Sequence, residues 1–487
     1  MAKNIMIQGT MSNVGKSLVT AGLCRVFRQD GYRVAPFKSQ NMALNSFVCA
    51  DGSEIGRAQV VQAEAAGIAP DVRMNPILLK PSSDMGSQII LMGKAQGNMS
   101  AKEYYRCKSA YKPMIMEAYE SLASEFDIIV IEGAGSPAEI NLKQDDIVNM
   151  GLAKMLDAPV LLVGDIDRGG VFAQLYGTVA LLEEEERQRI KGIIVNKFRG
   201  DRRILEPGIS QLEELCSVPV AGVIPYMYMD IDDEDSLSRQ LKTGGQPKLL
   251  DISVIRLPRI SNFTDLAPFQ GYENVSLRYI SRPEQLCQPD AIVIPGTKSS
   301  ISDLLWLRQS GLEAAVKKAA AAGTLIFGIC GCYQMLGRSI ADPEGQEAAE
   351  TREIKGLELL EMDTLFHAEK TQAQVTGRLE GIGGSLSLLN GLCYEGYEIH
   401  MGRSTEKMPT IAGSGNVYGT YVHGIFDAPG ISEAVLEALC RKKGIDFSAL
   451  GSFDRADHKE RQYDMLADAL RSSLDMELIY RILEGDL

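Results

Sequence analysis

Nine residues near the start of the chain set the first constraint. Gly9-Thr10-Met11-Ser12-Asn13-Val14-Gly15-Lys16-Ser17 follows an apolar run at residues 4–8 and opens a helical pattern at residues 15–28. A buried strand, a Gly-rich turn and a helix in that order form a phosphate cradle. Backbone N–H groups and the positive end of the helix point at the same spot. The run has one residue more between its glycines than the usual G-x-x-x-x-G-K-[ST] pattern. Gly9, Thr10, Asn13, Val14 and Gly15 form the loop, Lys16 is placed to neutralise the β/γ oxygens of a nucleotide such as ATP, and Ser17 to hold Mg²⁺.

Further short apolar runs follow at residues 33–37, 127–131, 159–163, 192–195 and 219–224, with helical patterns at 54–67 and 147–156 between some of them. Such alternation predicts βαβ units and a parallel sheet. In open α/β sheets ligands bind at the carboxyl ends of the strands. Glu132 ends the strand at 127–131 and is the expected Mg²⁺ carboxylate, with Asp51 in a Gly-containing loop as a weaker second ligand. Asn196 and Lys197 end another strand, a placement that suits recognition of a nucleotide base.

The pattern lapses after Tyr228, where Asp230, Asp232, Asp233, Glu234 and Asp235 lead into a polar stretch. A second α/β set then begins near residue 252, with strands expected at 252–257, 291–294 and 324–327 and a helix at 302–322. Residues 356–421 are rich in Gly, Thr and β-formers, and helical patterns at 432–443 and 457–483 follow. The expected division is a phosphate-binding domain at 1–235, a linker at 236–249, a second domain at 250–445 and a helical tail at 446–487.

Composition narrows the partners. Lys and Arg total 50 and Asp and Glu 64, a net charge of −14 that argues against a nucleic-acid partner. No apolar run is long enough to span a membrane, and the N-terminus does not read as a signal peptide. Nine cysteines, mostly scattered singly, predict reduced thiols in a cytoplasmic protein.

Gly328-Ile329-Cys330-Gly331-Cys332 follows the strand expected at 324–327 and precedes a helical pattern. A sharp strand-to-helix turn presents a nucleophile, and the helix N-terminus favours its thiolate. The Gly331 N–H is placed to help an oxyanion hole, and Gln334 lies four residues after Cys330. A cysteine nucleophile needs a base, and the chain has four histidines. His423 follows an apparent strand at Tyr421-Val422, and resemblance to glutamine amidotransferases, whose base stands in a similar late position, implies that it is the base, while His400 in Gly396-Tyr397-Glu398-Ile399-His400-Met401-Gly402 is a candidate site-lining residue. His367 and His458 have no supporting motif.

Three resemblances attach to these residues. The extended loop, Glu132-Gly133-Ala134-Gly135 and Asn196-Lys197 resemble the dethiobiotin-synthetase branch of P-loop proteins, which activates carboxylates by phosphorylation. Switch ATPases of the ParA/MinD type carry a second lysine early in the loop, where Thr10 and Met11 stand here. The Cys330 region resembles class I, triad-type glutamine amidotransferases of flavodoxin-like fold, with Cys332 where a second glycine is usual. In that resemblance Gly296, in Pro295-Gly296-Thr297-Lys298, supplies the second oxyanion donor, and Gly331 and Gln334 help bind glutamine. Many class I members orient the histidine with a glutamate two residues later. Ile425 stands there, which fits a Cys–His dyad, and Asp427 is an alternative orienter.

Pro36-Phe37-Lys38-Ser39-Gln40-Asn41-Met42-Ala43, Glu54-Ile55-Gly56-Arg57-Ala58-Gln59, Asp165-Ile166-Asp167-Arg168-Gly169-Gly170, the run from Ile255 to Phe263 and Tyr463-Asp464 resemble the cobyric acid synthase family. That resemblance implies a glutamine-hydrolysing carbon–nitrogen ligase acting on a corrinoid with ATP, Mg²⁺ and glutamine. The substrate would be adenosylcobyrinic acid a,c-diamide, amidated at its b, d, e and g carboxylates. Two alternatives stand beside it: a cobyrinic acid a,c-diamide synthase, and a nucleotide-switch protein with an inactive second domain. The residues by themselves lead to glutamine-dependent, ATP-driven amidation of a carboxylate.

Overall fold

The computed structural model describes residues 2–81, 86–232, 245–347, 353–406 and 408–487. Most of the expected linker, residues 236–244, lies outside them. The chain forms two compact units. One comprises Met1–Met42, Ile55–Ile231 and Ala456–Leu487, the other Ala43–Glu54 and Asp232–Arg455.

The first unit is built on a six-stranded parallel sheet. Its strand order is Val220–Pro225, Ile190–Phe198, Val160–Asp165, Lys3–Gly9, Ile128–Glu132 and Val34–Phe37. Every residue of the strands Val34–Phe37, Ile128–Glu132 and Val160–Asp165 is buried, as expected for a sheet covered on both faces. The central strand pairs Ile7 with Glu132 and Gly9 with Val163, so the loop after Gly9 and the carboxylate of Glu132 emerge on the same sheet edge. A smaller sheet, which the apolar periodicity did not signal, joins Gln40–Met42, Ile77–Pro81, Gly86–Leu91 and Lys94–Ser100.

The tail helices complete this unit's core. Leu470, Ile479 and Ile482 pack in one apolar cluster with Ile5, Leu23 and Val130. Approach is close enough that a Cβ on Gly222 would lie 2.3 Å from the Ser473 carbonyl oxygen. The single helical pattern at 457–483 is two helices, Arg455–Ser473 and Met476–Glu484. Asp475 separates them, donating its N–H to Ala221 O at 2.7 Å and capping the second helix through Leu478 N–H at 3.0 Å.

The second unit holds a sheet ordered Val275–Ile280, Leu250–Ile255, Ala291–Ile294, Leu325–Ile329, Val417–Thr420 and Ala412–Ser414, parallel except for the last strand. A mixed sheet of Glu353–Lys355, Ser339–Ala341, Asp363–Arg378, Cys393–Ser404 and Val422–His423 accompanies it. The helix expected at 302–322 is split into Ser300–Gln309 and Leu312–Ala321 by Gly311 at φ 81°, a conformation open to glycine without cost. The pattern at 54–67 likewise yields a strand, Glu54–Gly56, before its helix, Arg57–Ala66.

Candidate active sites

The first site sits on the carboxyl edge of the parallel sheet. The loop turns through positive φ at Asn13 (61°) and Gly15 (101°) before the helix Lys16–Gln29. Lys16 is buried at 7% exposure, and its Nζ donates to Met11 O and Gly135 O, both at 3.1 Å. Ser17 Oγ donates to Glu132 Oε1 at 2.8 Å. The expected metal pair is therefore brought together.

Two further side chains hold the same carboxylate. Lys38 Nζ donates to Glu132 Oε1 at 2.9 Å, and Gln62 Nε2 to Oε2 at 2.6 Å. Glu132 is 1% exposed, so an unpaired charge there would be costly and the ammonium offsets it. The sequence reading assigned Lys38 and Gln62 no role. Lys38 stands inside a run singled out for its resemblance, which was the available signal.

Asp51, the expected second metal ligand, makes its contacts elsewhere. It belongs to the segment Ala43–Glu54 of the other unit, where its Oδ1 accepts from Ser53 N–H at 2.9 Å and from the Ser53 hydroxyl at 2.5 Å. It is an exposed turn residue that caps its own loop. Asn196 and Lys197 reach the phosphate loop itself. Asn196 Nδ2 donates to Val14 O at 2.8 Å, and Lys197 Nζ to Asn13 O at 2.5 Å and to Asp165 Oδ2 at 2.7 Å. A Cβ on Gly15 would meet Asn196 Nδ2 at 2.2 Å, which fixes glycine at that point of the loop.

The second site begins at Cys330, between the strand Leu325–Ile329 and the helix Gly331–Leu336. Its backbone lies at φ 52°, ψ −113°, a strained conformation for a non-glycine residue and the hallmark of a nucleophile elbow. The Sγ donates to Ile399 O at 3.6 Å. Glycine is required nearby. A Cβ at Gly331 would lie 2.7 Å from Ser300 Oγ, and one at Gly296 2.9 Å from His423 Cε1. Gln334 is buried, with Nε2 donating to Gly402 O at 3.0 Å and Oε1 accepting from Ser300 Oγ at 3.2 Å.

His423 is 1% exposed, and its Nδ1 lies 2.7 Å from Asp265 Oδ2. Asp265 Oδ1 accepts the Gly424 N–H at 2.9 Å, so both carboxylate oxygens are engaged. Burial alone pulls the imidazole pKa down. The negative charges of Asp265 and Cys330 and the hydrogen bonds to both outweigh it, and His423 is raised to about 10. The reactive form of cysteine is the thiolate, and a protonated imidazole is its natural counter-ion.

The carboxylate held against His423 is therefore Asp265, which the expected Cys–His dyad did not include. Asp427 is engaged instead by the Arg455 guanidinium. Asp265 was beyond reach of motif reading, being far from His423 in sequence and two residues past the run ending at Phe263.

Cys332 is fully buried, and burial, then the nearby Asp303 carboxylate, pushes its thiol well above the ordinary range. It is neutral packing beneath the elbow. His400 stacks on Tyr421 at 4.1 Å between centroids, with Nδ1 2.8 Å from Gly402 O and Nε2 3.3 Å from Glu398 Oε2. It lines a cavity with Glu398, Arg403, Ser404 and Tyr421. His367 is exposed, and His458 Nε2 lies 2.9 Å from Asp230 Oδ2 on the first unit.

Comparison with known proteins follows the same division. Residues 5–236 match the CobQ/CobB/MinD/ParA nucleotide binding domain, and residues 251–431 the CobB/CobQ-like glutamine amidotransferase domain. The chain is 57% identical to the cobyric acid synthase of Lachnoclostridium phytofermentans, with 99% of each chain covered. It belongs to the cobyric acid synthase family. The Ruminiclostridium cellulolyticum cobyric acid synthase is 58% identical over 99% of this chain and 98% of that one, and the Salmonella typhimurium protein 48% identical over 99% of both. As a member of this family the chain is a glutamine-dependent ligase that joins a nucleotide-binding domain to an amidotransferase domain. Among the described residues no helix is long and apolar enough to cross a membrane.

Proposed function

We propose that the chain converts adenosylcobyrinic acid a,c-diamide to adenosylcobyric acid by amidating its b, d, e and g carboxylates with glutamine nitrogen and ATP. The name shared by its full-length relatives supports the product. The observation that carries the glutamine half is Cys330 on its elbow with His423 held by Asp265.

Cys330 Sγ attacks the glutamine carboxamide carbon, and the oxyanion is met by the Gly331 N–H and by backbone near Gly296. His423 passes a proton to the departing ammonia, and water then frees glutamate from the thioester. In the first unit a corrinoid carboxylate takes the γ-phosphoryl group of ATP, and ammonia displaces phosphate from the acyl phosphate. Lys16 and the loop amides neutralise phosphate oxygens, while Asn196 and Lys197 brace the loop.

Ser17 and Glu132 fit Mg²⁺. They are hard oxygen donors 2.8 Å apart, and Mg²⁺ uses one or two carboxylates with phosphate and water completing its shell. When bound it neutralises charge on the β and γ oxygens. Lys38 and Gln62 fix the direction in which the Glu132 carboxylate points. Among the described residues no cysteine is joined in a disulfide, which supports a reducing, cytoplasmic setting. The partners are small molecules, with no nucleic acid and no membrane.

The test offers the purified protein ATP, glutamine and either cobyrinic acid or its a,c-diamide. Turnover of the a,c-diamide alone is expected. Turnover of cobyrinic acid alone would assign the earlier synthase. Cys330→Ala should lose glutamine-dependent amidation and keep the reaction with added ammonia, whereas Lys16→Ala should lose both. Absence of glutamate release from wild type under all these conditions would sink the enzymatic reading.

A further inference from the structure

The segment Ala43–Glu54 leaves the first unit after the strand Gln40–Met42 and packs wholly with the second. Its Asn45 and Ser46 are each 1% exposed. Asn45 Oδ1 accepts the Asn262 N–H at 2.7 Å, and Ser46 N–H donates to Asn262 Oδ1 at 3.1 Å. The two segments therefore grip each other reciprocally.

Asn262 sits at φ 49°, a left-handed conformation that asparagine tolerates better than most residues. It opens the short turn Phe263–Leu266 that carries Asp265, whose N–H donates to Asn262 O at 3.1 Å. Asn262 Nδ2 also donates to Tyr397 Oη at 3.3 Å, and Tyr397 Oη donates to Ser46 O at 2.9 Å. The Tyr397 ring stacks on the His423 ring, 5.4 Å between centroids and 26° between planes, and the two residues are register partners in the sheet. Phe47 packs edge-on against Tyr397 at 5.0 Å. The far end of the segment is fixed by a buried ion pair, Glu54 with Lys370 at 2.5 Å.

Both members of the His423–Asp265 pair are thus one residue away from this segment: Asp265 through Asn262, and the His423 ring through Tyr397. We propose that Asn45 and Ser46 are positioning residues for glutamine hydrolysis, a clamp that sets Asp265 and His423 through Asn262 and Tyr397. The clamp lies in sequence between Lys38 and Gln62, the two residues that hold Glu132. The glutaminase thereby takes part of its alignment from the nucleotide half of the sequence. The inference rests on Cys330 and His423 being the glutaminase pair.

The test measures glutaminase kcat, KM and the pH profile for wild type, Asn45→Ala, Tyr397→Phe and Cys330→Ala, with ammonia-dependent amidation as a parallel assay. Asn45→Ala should lower kcat between ~10- and ~100-fold, the scale expected of a small misalignment of reacting groups. KM for glutamine should move less than about threefold, since the clamp touches the base and not the ligand. The alkaline limb of kcat/KM should shift toward neutral pH as His423 loses a well-placed Asp265, which general loss of folded protein would not produce. Tyr397→Phe removes the hydroxyl but keeps the stacked ring, and should shift both readouts the same way by less. Wild-type kcat and an unmoved alkaline limb in both variants would overturn the clamp. Failure of the underlying reading looks different: Cys330→Ala would then retain glutaminase activity.

Discussion

Glu132 and Asp265 are both buried carboxylates, 1% and 3% exposed, yet they are stabilised by different kinds of partner. Glu132 is met by an ammonium and two neutral donors, Lys38, Ser17 and Gln62. Asp265 is met by an imidazole and a backbone amide. In the proposed function the first carboxylate would hold a metal–phosphate group, and the second would control a proton. The pH sensitivity of the enzyme should therefore reside in the glutamine half.

The strongest way to break that comparison is Asp265→Asn. The side chain keeps its shape but loses the charge that holds His423 protonated and correctly oriented. Glutamine-dependent turnover is expected to fall roughly 10³- to 10⁴-fold, as in other triads that lose their acid. Steady-state glutamate release measures it, and ammonia-dependent amidation should persist. Lys38→Met provides the contrast. It leaves Glu132 buried without its cation, a change costing about 3–5 kcal/mol when a buried pair is broken. Both nitrogen routes should drop together, and isotope-labelled ammonia assays beside glutamine assays would reveal any route that escapes.

The pH dependence sharpens the same point with a smaller effect. The folded pKa of His423, about 10, lies above the value of about 6.5 for an unperturbed histidine. The stabilisation it brings is fully present below that unfolded value and is lost as pH rises through the folded one. Melting curves from pH 7 to 10 should therefore show a declining midpoint for wild type and a flatter one for Asp265→Asn. A wild-type midpoint that rises over this range would reverse the assignment of charge at the pair. The smallest effect concerns the scaffold. Gly222→Ala sets a Cβ against the Ser473 carbonyl and should cost about 1–3 kcal/mol, read as a lowered melting midpoint with near-normal KM for glutamine.

These contrasts also explain what could be read from residues alone. The phosphate site is local: strand, loop, Lys16 and Ser17 are contiguous, and Glu132 ends the neighbouring strand, so periodicity and spacing were enough. The elbow at Cys330 is local in the same sense. Asp265 meets His423 only because a short turn before one strand set faces the end of another, and no spacing rule encodes that. That the Asp51 loop folds with the second unit was likewise not legible, since its position after a strand of the first gives no sign of it. Gly311 broke one helix where periodicity alone carried it through, since the apolar pattern continues on both sides of the break.

The docking of Leu470, Ile479 and Ile482 into the first unit's core bears on how the chain comes to be assembled. Residues beyond 456 leave the ribosome after the entire second unit. The nucleotide half must then wait with an open apolar face while the glutaminase is made and folds.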